Sequence, residues 1–254
     1  MIGARRLYNV FNQSRKSARK SVTLAVTGSS PRASELAALL DAERKMKGAE
    51  IILSVSDSSP EGPITLSGKA VDDPDEITLS TITEQAIRDE LAPDIVRAMD
   101  EDYLVPLAKG YPLLRRAICD WLVRNNAQEN AFIGALPIPG ADMPVMTANQ
   151  GRMVLQIAAA YGEQLSMERA RELLGVLAAG FGLRALARQA VKVVPVGGWA
   201  ASAVMGYAGT LAMGRATILY FERGGQEVGR KEMENIQKRA TEEAKTFVSR
   251  VRRK

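Results

Sequence analysis

The side chains able to do chemistry are few. Cys119 is the one cysteine, and histidine is absent. Without histidine the commonest general base and the commonest zinc ligand are missing. Ser-His-Asp and Cys-His nucleophilic sites are thereby excluded, as is a tetrahedral Cys/His zinc site within one chain. Lysine, tyrosine and carboxylate chemistry stay open. A single cysteine forms no internal disulfide and reads as a small apolar filler. The acidic groups Asp72-Asp73-Asp75-Glu76 and Asp100-Glu101-Asp102 lack the alternating ligands, central glycine and distal glutamate of a helix-flanked calcium loop. They read as solvated turns, and neither a metal nor a cofactor is expected.

One strand-loop-helix invites comparison with a phosphate-binding loop. Val22–Thr27 is a β-branched run ending at Gly28, with Ser29, Ser30 and Pro31 behind it. A phosphate loop needs a second glycine, a lysine and a Ser/Thr so that amides, charge and magnesium meet the phosphates. Those places hold Ala33, Ser34 and Glu35. The loop is degenerate as a nucleotide site, and Glu35 would repel phosphate.

Charge is distributed unevenly around a net +5. Residues 1–20 hold six basic side chains, Arg5 and Arg6 among them, and no acid. Residues 60–102 hold twelve acids and three bases, and 173–221 hold Arg184, Arg188, Lys192 and Arg215 with no acid. Arg184, Arg188 and Lys192 fall four residues apart, so they line one helical face. Lipid headgroups or nucleic acid would both suit such basic stretches. Aromatics at 5%, with no aromatic-basic sheet motif and no zinc finger, make nucleic acid the weaker reading. The expected membrane or partner contacts are Arg5, Arg6, Arg184, Arg188, Lys192 and Trp199.

The elements that would position these groups suggest an α+β chain: a small α/β module with a few-stranded sheet, then a mostly helical bundle. Residues 1–21 read as a basic arm without an apolar leader, which with the lone cysteine suits an intracellular, reducing setting. Residues 22–83 form the α/β module. Ser34 is the expected cap of a helix through Met46, and Glu50–Val55, Ile64–Ser67 and Glu76–Thr81 are further strand candidates. A helical domain spans 84–223. Ile87, Leu91, Ile95 and Met99 recur every four residues, and Leu113, Leu114, Ile118 and Leu122 make the next apolar face. Residues 136–140 break the pattern with two prolines and a glycine, Asp142 is placed to cap the following helix, and Gly162 is placed to stop it.

The segment 193–214 carries no charge and is about the length of a membrane span. Gly, Ala, Ser, Thr and a proline dilute its hydrophobicity, leaving a buried bundle helix and a membrane-inserted or hairpin segment both open. Ser202, Gly206, Thr210 and Gly214 repeat every four residues, a strip of small side chains that lets two helix backbones approach closely. Residues 224–254 form an amphipathic helix with Met233, Ile236, Ala240, Ala244, Phe247 and Val251 as its stripe.

Three stretches together resemble a known family. They are Leu136-Pro137-Ile138-Pro139-Gly140-Ala141-Asp142 with the helix to Gly162, Gly180-Phe181-Gly182-Leu183-Arg184-Ala185-Leu186, and Pro195 through Gly206-Tyr207-Ala208-Gly209-Thr210 to Gly214-Arg215. They look like an uncharacterised bacterial domain found behind Era-type GTPase domains and in YcjF-like inner-membrane proteins, over roughly residues 104–223. The resemblance implies a helical, membrane-associated domain with a GTPase nearby and carries no catalytic residues. The expected function is a non-catalytic adaptor or structural protein at the cytoplasmic face of a membrane, with an anionic membrane surface and a GTPase as partners. A soluble homo-oligomeric structural protein and a nucleotide or small-ligand sensor built on the α/β module are the alternatives.

Overall fold

The computed structural model describes residues 20–56, 62–72, 74–136, 142–164, 168 and 198–253. These divide into two compact units. The first takes residues 20–121 with 159–162; the second takes 122–158 with the described residues from 163 onward.

The first unit is built on a four-stranded sheet in the order β1-β2-β3-β4. The strands are β1 (Leu24–Thr27), β2 (Ile51–Val55), β3 (Ile64–Ser67) and β4 (Asp75–Ile77). β1 and β2 are parallel, with Leu24 opposite Ile51 and Thr27 opposite Ser54; β3 and β4 add on antiparallel. Leu24, Ala25 and Val26 are all buried, as a strand covered on both faces requires. β2 instead alternates buried and half-buried, one face to the core. A parallel pair needs a crossover, and α1 (Pro31–Leu40) supplies it. Its Ala33, Leu36, Ala37 and Leu40 form the i, i+3, i+4, i+7 stripe of an amphipathic helix.

The bounds of α1 differ from the sequence expectation. Ser30, not Ser34, is the cap: its Oγ accepts from the Ala33 N–H at 3.3 Å, with Pro31 preset for the first turn. The helix stops at Asp41, which is left-handed at φ 52°, so Met46 lies outside it and is exposed. The loop beyond covers the free edge of β1, where Glu43 exchanges backbone hydrogen bonds with Leu24 and Val26.

Helices α2 (Glu84–Ala86) and α3 (Ala92–Ala98) are joined by a π-helical turn, Ile87–Leu91. Pro93 has no N–H to give the Asp89 carbonyl, and its ring crowds that carbonyl, so the widened turn falls where an α-helical bond is impossible. Ile87, Leu91, Ile95 and Met99 are all buried. Next come α4 (Glu101–Gly110) and α5 (Pro112–Ala135). Between them Tyr111 is buried, and its hydroxyl accepts the Leu24 N–H of β1 at 2.7 Å. Burial raises the Tyr111 pKa; the hydrogen bond from Leu24 opposes that shift.

The second unit is helical. α5 contributes its residues from 122 onward, joined by α6 (Asp142–Ala160), α7 (Gly198–Glu222) and α8 (Arg230–Arg253). α7 is buried almost all round: Ala203, Val204, Tyr207, Ala208, Leu211 and Ala212 lie in the core. No helix among the described residues is long and apolar enough to cross a membrane. The chain is α+β, a small sheet followed by a mostly helical region.

Candidate functional site

The centre of the helical unit is a close crossing of α5 and α7. A Cβ on Gly134 would stand 2.7 Å from the Ser202 carbonyl oxygen. One on Gly206 would overlap the Asn130 carbonyl oxygen, with Met146 Cε at 2.8 Å, and one on Gly214 would overlap the Val123 side chain. As residue numbers fall along α5 they rise along α7, so the two helices run antiparallel. The strip Ser202, Gly206, Thr210 and Gly214 thus faces α5, backbone nearly on backbone, and α5 meets it with Gly134, Asn130 and Val123.

A polar layer crosses this apolar interior. Asn130, fully buried, donates from Nδ2 to Thr210 Oγ1 at 2.8 Å. Gln150 of α6 donates to the same oxygen at 3.1 Å, and the Thr210 hydroxyl donates to the Gly206 carbonyl at 2.8 Å. One donor and two acceptors exhaust a hydroxyl, so Thr210 is saturated. Asn149 donates to Asn130 Oδ1 at 3.2 Å. Arg152 reaches Glu129 at 2.9 Å and Asn126 Oδ1 at 3.4 Å, and Asn126 Nδ2 donates to the Leu122 carbonyl at 2.8 Å. Most of these groups are spent on one another across three helices, while Arg152 Nε is buried without a hydrogen-bond partner among the described residues. Such a layer fixes helix register, because sliding α7 by one turn would leave Asn130 buried without an acceptor.

α8 packs antiparallel on α7. Tyr207 stacks on Phe247 with ring centroids 4.7 Å apart, and Arg215 meets Glu243 at 2.7 Å. Burial first, and then Glu243, hold the Tyr207 hydroxyl above its ordinary pKa. Phe132 of α5 meets Phe247 edge-on at 6.2 Å. The C-terminal turns of α5 and α8 therefore lie side by side.

In the first unit the β1–α1 turn closes tightly on β2. Gly28 holds φ 129°, and a Cβ there would come within 2.9 Å of the Val55 carbonyl oxygen. The glycine serves close approach of the turn to β2. Among the described residues no three Cys, Asp or Glu side chains cluster as a metal site.

A family model described as "Domain of unknown function (DUF697)" matches residues 114–246, just over half of the 254-residue chain. The chain belongs to this family. No curated protein and no solved structure matches it. The DUF697 match starts and ends later than the stretch on which the resemblance rests, and it takes in the polar layer and most of α8.

Of the residues singled out from the sequence, Ser202, Gly206, Thr210 and Gly214 are brought together on α7 against α5. Asp142 is the first residue of α6, and Trp199 is the second of α7. Arg5, Arg6, Arg184, Arg188 and Lys192 lie outside the described residues, as do the break at 137–141 and the basic arm up to residue 19. The polar partners Asn126, Glu129, Asn130, Asn149, Gln150 and Arg152 were missed. The available signal was the four-residue spacing of Asn126 and Asn130 among Ala127, Ala131 and Gly134, polar side chains on an otherwise small-residue face.

Proposed function

We propose that this DUF697 protein is a non-catalytic adaptor at the cytoplasmic face of a membrane. Its helical unit attaches to an anionic lipid surface while the small sheet unit engages a partner. The observation that carries the reading is the charge of residues 244–254. Residues 244–254 hold Lys245, Arg250, Arg252, Arg253 and Lys254 with no acid, and Arg250 is exposed. Each basic side chain near an anionic leaflet contributes roughly 1 kcal/mol of attraction, screened beyond a Debye length. A GTPase is the partner class that the resemblance implies.

Vesicle sedimentation of the purified full chain tests the attachment. The chain is expected to pellet with phosphatidylcholine vesicles carrying phosphatidylglycerol, to stay in the supernatant with phosphatidylcholine alone, and to be released by high salt. Failure to pellet with the anionic vesicles would refute the reading.

A further inference from the structure

We infer that the paired C-terminal turns of α5 and α8 form an insertion surface for an anionic membrane, with Phe132, Leu136 and Val251 entering the headgroup layer. The inference rests on the electrostatic attachment proposed above and names the side chains that would turn attraction into insertion.

Three large apolar side chains stand in solvent at this end. Phe132 and Leu136 are each 55% exposed and Val251 is 43% exposed. The Phe132–Phe247 contact ties the two helices together. α5 and α8 each run antiparallel to α7, so they point the same way. Val251 lies four residues past Phe247 on α8, about 6 Å along the helix axis, and Leu136 is the first residue after α5.

Charge decides which occupant fits. Among the described residues Glu129 is paired with Arg152, Glu242 with Lys245, and Glu243 with Arg215. Residues 244–254 hold five basic side chains and no acid, and Arg250, exposed on α8, precedes Val251 directly. A second copy meeting this end through the same surface would bring like charges together, which opposes association. An anionic lipid surface offers both the opposite charge and the apolar layer beneath it.

The test uses the full chain and phosphatidylcholine vesicles with and without phosphatidylglycerol. Leu136→Ser and the triple variant Phe132→Ser/Leu136→Ser/Val251→Ser are expected to lose about tenfold or more in binding to the anionic vesicles. The Leu136→Ser melting curve should match the parent, because that side chain is exposed, whereas the triple variant also gives up the Phe132–Phe247 ring contact and should melt lower. Leu136→Trp is expected to strengthen binding, a gain that mere loss of structure cannot produce. Anionic-vesicle binding of parent strength in the serine variants would overturn the insertion surface and leave the electrostatic reading standing. No binding by the parent chain would overturn both. A lipid-free dimer of the parent that Leu136→Ser dissociates would assign this end to a second copy and overturn the inference.

Discussion

Gly206 and Gly209 lie three residues apart on α7 and should answer an added methyl with opposite signs. Helix propensity treats the two positions alike: alanine is favoured over glycine by roughly 0.8–1 kcal/mol in a helix interior. Gly209 has only Gln150 Nε2, at 4.0 Å, near its would-be Cβ, so Gly209→Ala should keep most of that gain. At Gly206 the methyl would overlap the Asn130 carbonyl and crowd Met146. Relief requires α5 and α7 to separate by roughly 1 Å, and overpacking of this kind costs about 1–3 kcal/mol. The same separation stretches the Asn130–Thr210 hydrogen bond, 2.8 Å long at a fully buried asparagine, and a buried polar group left unsatisfied costs about 1–3 kcal/mol. After subtracting the propensity gain, Gly206→Ala should destabilise by about 1–5 kcal/mol. Equilibrium unfolding in urea followed by circular dichroism, with midpoints compared at constant slope, measures the difference. If the two variants shift the midpoint equally and upward, α5 and α7 do not approach as described and the register argument falls with them.

Thr210→Val removes the acceptor shared by Asn130 and Gln150 and should destabilise by about 1–3 kcal/mol. Adding Asn130→Leu should recover part of the loss, since removing both partners of a buried hydrogen bond is milder than removing one; a strictly additive double-mutant cycle would show that the pair is uncoupled. Tyr111→Phe orphans the Leu24 N–H of β1 and should destabilise by about 1–3 kcal/mol at neutral pH. Because the folded Tyr111 pKa is raised, the folded state keeps its proton where the unfolded state has released it, so the contribution is complete below about pH 10 and is lost as pH rises through the folded value. The gap between parent and variant should therefore narrow in alkaline denaturation curves, and a constant gap would contradict the assignment.

Local spacing made several features legible. Ile64–Ser67 is a strand because alternation of side chains is a property of the strand itself, and the strip Ser202-Gly206-Thr210-Gly214 marks one face of a helix for the same reason. The parallel β1–β2 pair follows from a strand, a helix and a strand in that order. Sequence alone places the start of α1 too late, because Ser29-Ser30-Pro31 reads as a loop, although a proline directly after Ser30 also marks a first helical position. What only the tertiary structure decided is which surface lies opposite a given face. Asn130 has the spacing of a solvated residue until Thr210, eighty positions away, is set against it. Phe132 sits in an otherwise ordinary helical pattern, yet its ring is left in solvent beside Phe247. Spacing along one helix determines a face; the partner of that face is a non-local choice, made by which backbones can approach and which buried polar groups can be satisfied together.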